Sequence, residues 1–452
     1  VTRAPHPADG AGSLGARPAS PGASGSRSTS AVRTILAGSV PNLVQWFNLY
    51  VFATFAPYFR GEFFGTTDAA SLAAVYAVFA LTFLARPIGS WLFGRYADRA
   101  GRQRALMFAV LLMSACSLAL AITPGRDHIG GWAVVILIVV SLVQGIATGG
   151  EYAAATVYLT ESASAGRRGF FSSFQAVTIV AGQVLGQGLL LIVLEIGQRE
   201  AASTWGWRLA FALAGLSAVG AVWAARRQPE APVRRSEKAG SMRLLLRQNA
   251  RSLVWVIAMT AGGTAAFYTY TVTVPTVTRE TFFAADGRGE RSAALIVLVG
   301  LVVLMLLQPL AGALSDRIGR KPLLVFSALA GILFSGWFLH LVRTSSDVLA
   351  VGAAYLVAMV VITGYLAVNG VAKAEAFPPE VRALGVGLGY AIANSLFGGT
   401  SPAVYHAATA ASDPGAFTLY LSILLAVTLV AALLMRSRAD AGGIRPSRER
   451  RG

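Results

Sequence analysis

The chain has 452 residues, of which 55% are hydrophobic and only 13% charged, with a mean hydropathy of +0.60. A soluble protein carries about 25% charged residues, and the apolar runs here approach or exceed the roughly 20 residues of a bilayer span, so the composition excludes a soluble globular enzyme. The net charge of +17 gathers in the tails and in the loops of one side, an asymmetry that fits the positive-inside rule better than a nucleic-acid patch.

In chain order, residues 1–33 are rich in Ala, Gly, Ser and Pro and read as a disordered cytoplasmic tail without the apolar core of a signal peptide. Apolar segments follow at about 34–56, 69–94, 103–123, 131–160, 170–195, 207–225, 252–280, 290–314, 323–342, 348–374, 384–411 and 417–436. The predicted fold is an all-α polytopic membrane protein of twelve transmembrane helices in two pseudo-symmetric six-helix bundles, 34–225 and 252–436. A cytoplasmic linker at 226–251, with Pro229 and Pro232, joins them, and a basic cytoplasmic tail occupies 437–452. Both termini are expected on the Arg-rich, cytoplasmic side.

The two halves share a motif. Gly94-Arg95-Tyr96-Ala97-Asp98-Arg99-Ala100-Gly101-Arg102 and Gly312-Ala313-Leu314-Ser315-Asp316-Arg317-Ile318-Gly319-Arg320 both read G-x-x-x-D-R-x-G-R between long apolar runs. Glycine permits a tight turn, and arginine suits a cytoplasmic helix end.

Ionisable residues inside an apolar span are costly and are candidate functional groups. Glu151 follows two glycines and lies about 15 Å along a helix from Glu161; it is either a proton-carrying carboxylate or a structural partner of an arginine. Arg86, before Pro87, lies about 12 Å inside the second segment. It either snorkels to the interface or faces a cavity, where its fork matches a carboxylate. Tyr365, Asn369 and Lys373 recur at i, i+4 and i+8 on the tenth segment, with Tyr390 and Asn394 paired on the eleventh, Thr264, Tyr268 and Thr271 on the seventh, and Gln175 and Gln183 on the fifth. These polar stripes serve either a substrate or helix–helix hydrogen bonds. Glycines such as Gly182, Gly186 and Gly188 are expected mainly to let helices approach closely. No cofactor or metal centre is expected. Cys116 is the one cysteine, the four histidines are scattered, and none of Lys238, Lys321 and Lys373 follows a glycine, so there is no Walker-A loop for ATP.

Taken together these residues resemble the major facilitator superfamily and, within it, the metabolite:H⁺ symporters. The paired loops carry the resemblance, with Asn42-Leu43-Val44-Gln45-Trp46-Phe47-Asn48-Leu49-Tyr50, Arg86-Pro87-Ile88-Gly89, Gly149-Gly150-Glu151-Tyr152, Gly166-Arg167-Arg168-Gly169-Phe170, Lys373-Ala374-Glu375-Ala376-Phe377-Pro378 and Val381-Arg382-Ala383-Leu384-Gly385-Val386-Gly387-Leu388. It spans roughly residues 33 to 436 and implies alternating access in a bacterial inner membrane. The implied substrate is a small organic anion, such as α-ketoglutarate or a similar mono- or dicarboxylate, moved with protons and held by Arg86 and Lys373. Gating falls to Asp98 with Arg99 and Arg102, and to Asp316 with Arg317 and Arg320. One departure bears on coupling: the family's first helix reads E-W-F-D-F-Y, and here both acids are amides, Gln45 and Asn48. Alternatives are a proline- or betaine-type zwitterion transporter and a carboxylate facilitator or exchanger without proton coupling. A non-transporting sensor would need a large soluble signalling domain.

Overall fold

The computed structural model describes residues 23–100, 102–149, 151–161, 163, 166–226, 241–286 and 289–435, and among these the regular structure is helical throughout. The first half holds α1 (Ala23–Phe64), α2 (Ala69–Leu84), α3 (Arg86–Ala100), α4 (Arg102–Ile122), a short α5 (Arg126–Ile129), α6 (Trp132–Thr148), α7 (Glu151–Glu161), α8 (Arg168–Ala201) and α9 (Trp207–Arg226). The second holds a short α10 (Met242–Gln248), then α11 (Ala250–Tyr268), α12 (Val274–Asp286), α13 (Glu290–Ile318), α14 (Lys321–Thr344), α15 (Val348–Leu366), α16 (Asn369–Glu375), α17 (Arg382–Ala393), α18 (Ser401–Ala410) and α19 (Pro414–Leu433). When α2–α3, α6–α7, α11–α12, α15–α16 and α17–α18 are each read as one broken span, the described helices follow the twelve expected segments in order. Seven described stretches are long and apolar enough to cross a membrane, and Met107–Ile122 and Trp132–Thr148 are shorter apolar helices.

Two boundaries differ from the sequence expectation. Helix α1 begins at Ala23, inside the stretch expected to be disordered. The linker expected at 226–251 carries α10 at its far end, capped by Ser241, whose Oγ accepts the Leu244 N–H at 3.3 Å. The remainder of the linker, 227–240, and the tail after 435 lie outside the described residues.

Turns at the end opposite the shared motifs are closed by aspartate caps. Asp68 accepts the Ser71 N–H at 2.8 Å, which holds its carboxyl below the usual carboxylate range. Asp347 does the same for Leu349 and Ala350, and Asp413 for Ala416 behind Pro414. At the motif end, Gly319 closes α13 at φ +91°, a conformation other residues avoid.

The broken spans have local causes. Pro87 has no N–H for the Phe83 carbonyl one turn before it, and that carbonyl instead accepts Ser395 Oγ from the other half at 2.5 Å. Spans seven and eleven each carry a π-helical turn, Thr269–Thr273 and Asn394–Gly398, a device that widens a helix and often marks a functional position. In the tenth span, Asn369 Nδ2 turns back to the Leu366 carbonyl at 2.7 Å, where α15 gives way to α16.

Candidate substrate-binding site

Between the halves lies a narrow cavity. Helix α1 lines it with Asn42, Gln45, Trp46 and Leu49, the α2–α3 break with Arg86, the α6–α7 break with Thr148, Gly149 and Tyr152, and α17 with Gly387, Tyr390 and Ala391. The Arg86 guanidinium, 4% exposed, lies 3.9 Å from the Phe83 ring centroid and 5.5 Å from that of Trp46. Its Nε and Nη2 have no hydrogen-bond partner, and it forms no ion pair among the described residues. Of the two readings left open by the sequence, the structure takes the cavity-facing one. A desolvated guanidinium backed by aromatic faces has the chemistry to bind an anion.

Lys373, on α16 of the other half, is fully buried. Its Nζ donates to Asn369 Oδ1 at 2.8 Å and to the Tyr152 hydroxyl at 3.1 Å, and it lies 4.6 Å from the Tyr390 ring centroid. Tyr152 in turn donates to Asn369 Oδ1 at 2.9 Å and stacks on Tyr390 with centroids 3.5 Å apart. Lys373 thus reaches the cavity through Tyr152 and Tyr390, and its described partners are neutral oxygens and rings.

The other candidates divide. Gln45 and Tyr390 line the cavity, and Gln45 Oε1 lacks a donor. Tyr268 sits edge-on to Phe83 with centroids 5.1 Å apart, and Asn394 accepts the Thr264 hydroxyl at 2.6 Å while its Nδ2 stays unpartnered. Gln175 accepts from Thr156 and donates to the Tyr152 carbonyl, which makes it a bracket for α7. Tyr365 reaches the Thr260 carbonyl at 3.5 Å and is not a lining residue. Asn48 is fully buried away from the cavity: its Nδ2 donates to the Val44 and Ala214 carbonyls at 2.8 and 2.9 Å, and its Oδ1 accepts Ser117. The side chains of Glu151, Asp98, Arg99 and Arg102 lie outside the described set.

The halves are tied on both sides of the cavity. At the motif end, Asp316 accepts the backbone N–H groups of Gly169 and Phe170 at 2.8 and 2.9 Å, in the first turn of α8, where the helix dipole favours an anion. Gly169 and Gly312 cross so closely that a Cβ on either would stand 2.5 to 2.6 Å from the other's carbonyl oxygen. Arg320 holds Asp316 at 2.9 Å and Glu375 at 3.3 Å, Arg317 is exposed, and Arg382 reaches Glu161 across the halves at 2.7 Å. At the opposite end, Arg199 of the first half bridges Glu290 at 2.6 Å and Glu280 at 3.2 Å of the second, joined by Arg60 and the Tyr58 hydroxyl. Sequence reasoning missed this second network, because charges at span ends look like ordinary interface anchors. It also passed over Tyr152, although the quoted Gly149-Gly150-Glu151-Tyr152 run contained it.

Comparison with known proteins agrees with this architecture. The sequence profile of the Major Facilitator Superfamily matches residues 40–402. The chain is 38% identical over 410 residues to the α-ketoglutarate permease of Escherichia coli, covering 89% of this chain and 93% of that one. It is 30% identical to a citrate-proton symporter of Klebsiella pneumoniae, covering 82% and 84% of the two chains, and 31% identical to an ectoine/proline transporter of Corynebacterium glutamicum, covering 82% and 77%. Its fold is similar to that of a D-xylose-proton symporter, with a TM-score of 0.64 over 89% of this chain and 96% of that one at 20% identity. With the repeated motif and the helical spans around a central cavity, these matches establish that the chain is a multi-pass membrane protein belonging to the major facilitator superfamily.

Proposed function

We propose that the protein carries a small mono- or dicarboxylate, α-ketoglutarate foremost, together with protons across a bacterial cytoplasmic membrane by alternating access, its basic end and both termini facing the cytoplasm. One observation carries this reading: Arg86 lines the cavity, Lys373 of the opposite half stands behind its lining residues Tyr152 and Tyr390, and neither of these buried basic side chains has a carboxylate partner among the described residues. A buried unpaired charge is expensive, so such a site gains most from an anionic ligand. The Arg86 fork suits one carboxylate, and Lys373 with Tyr152 suits a second anionic or carbonyl oxygen. The named activities of two of the relatives, α-ketoglutarate permease and citrate-proton symporter, concern the same chemistry. A zwitterion such as proline would set its own cation against one of these two.

Proton coupling is assigned to Glu151, beside the cavity-lining Gly149 and Tyr152. Gln45 and Asn48 take no part in it, because an amide carries no titratable proton; Asn48 instead donates to the Val44 and Ala214 carbonyls. Reconstituted protein should therefore accumulate radiolabelled α-ketoglutarate against its gradient only when an inward proton gradient is imposed. Equilibration indifferent to that gradient would make it a facilitator or exchanger, and absence of uptake by folded protein would overturn the substrate.

A further inference from the structure

A second, tighter cavity lies further along α1. It begins at Tyr50, Ala53 and Thr54, whereas the central cavity ends at Leu49, so the two centres are roughly 10 Å apart along the helix. Gln183 and Gln187 of α8 line one wall, and Thr271, Pro275, Arg279 and Leu301 of the other half line the opposite one. One turn beyond Thr54, Tyr58 enters the Arg199–Glu290 network. The second cavity therefore stands between the central site and that outer network.

Arg279 dominates it. The side chain is 2% exposed, and among the described residues it forms no ion pair. Its hydrogen bonds are long and go only to uncharged oxygens: Gln187 Oε1 at 3.2 Å, the Thr54 carbonyl at 3.4 Å and Thr276 Oγ1 at 3.5 Å. Arg279 Nε and Gln183 Oε1 are both buried without a partner. The neighbouring acid, Glu290, is engaged by Arg199 and Tyr58. A guanidinium buried between the halves, without a salt bridge among the described residues and with a donor free, resembles Arg86. The unpartnered acceptor on Gln183 would be met by a water or hydroxyl accompanying the anion.

We propose that this cavity is a second anion site, in which Arg279 holds the carboxylate of the transported anion between the Arg199–Glu290 network and the central site. The proposal rests on the carboxylate reading above. This site binds the anion more weakly than the central one, because it offers one guanidinium and lies within reach of the charge of an anion held there.

Equilibrium binding of radiolabelled α-ketoglutarate to full-length protein in nanodiscs tests it. Wild type should show a tight and a weak class of site, the weak one at least about ten-fold weaker. Arg279→Gln should keep the tight class and lose the weak one, Arg86→Gln should keep the weak class, and the double variant should lose both. A tight class alone in wild type, or a weak class that survives Arg279→Gln, overturns the second site and leaves the carboxylate reading intact; no binding at all by folded wild type overturns both. If Arg279→Gln loses both classes, Arg279→Lys decides: recovery of both supports the site, and loss of both assigns Arg279 to the scaffold.

Discussion

At the scale of single residues, the candidate site is organised by cations without counter-ions. Arg86 presents a fork against aromatic faces, and its Nε and Nη2 lack a hydrogen-bond partner. Arg86→Gln should cut kcat/KM for α-ketoglutarate uptake by about 100-fold or more while leaving the protein in the membrane, since a charge-assisted bidentate contact is lost. Arg86→Lys should recover only part of this, because an ammonium keeps the charge and loses the fork. Uptake within a few fold of wild type in the glutamine variant would remove Arg86 from the site. Tyr152→Phe takes one of two hydrogen bonds from Lys373 and one from Asn369, and uptake should fall about ten-fold, in line with the roughly 1.5 kcal/mol of a hydrogen bond to a charged group. Arg86, Asn369 and Lys373 were legible in the sequence because polar side chains stand out in an apolar span. Tyr152 was not, since an aromatic ring in such a span is ordinary until its hydroxyl is seen between Lys373 and Asn369. Asn48 illustrates the reverse case. Its position invited a functional reading, and only the carbonyls around it disclose a packing role.

At the scale of helices, the same pattern decides which glycines matter. Gly182 and Gly188 share α8 and look alike in sequence, yet a Cβ on Gly182 would stand 2.7 Å from the Phe47 nitrogen of α1, whereas one on Gly188 meets nothing within 4 Å. Gly182→Ala should destabilise the purified protein by about 1–3 kcal/mol through overpacking against backbone. Gly188→Ala should be neutral or stabilising by up to about 1 kcal/mol, since alanine is the better helix former. Thermal unfolding in detergent compares the two, and equal losses would contradict this account of α8. The twelve spans were legible because length and apolarity carry them, and the Arg86-Pro87 break because proline cannot complete the helical ladder. The π-helical turns at Thr269–Thr273 and Asn394–Gly398 were not. They follow from tertiary bonds such as Thr264 to Asn394 and Thr269 to Ser401, which no local pattern encodes.

At the scale of the whole molecule, contacts between the halves hold both ends, and we propose that they act as opposing latches, one released while the other stays shut. The motif-end latch is Asp316 on the first turn of α8, reinforced by Arg320 and flanked by the Arg382–Glu161 pair. The other latch is Arg199 between Glu280 and Glu290. If both contribute about 1–3 kcal/mol to the closed arrangement, as partly buried charge-assisted contacts do, removing one shifts the population toward the state open at that end by about 5- to 150-fold. A cavity-lining reporter, Thr148→Cys in a Cys116→Ser background, makes this measurable with a membrane-impermeant maleimide applied to either face of oriented vesicles. Asp316→Asn should raise labelling from the basic face, and Arg199→Gln should raise it from the opposite face. The direction follows from the geometry alone, because each substitution weakens contacts at one end and touches none at the other. Equal labelling from both faces in either variant would mean that the contacts join the halves without selecting which end opens. In that event the direction of opening would have to be set at the cavity itself, where Arg86, Tyr152 and Lys373 bring the two halves within reach of one anion.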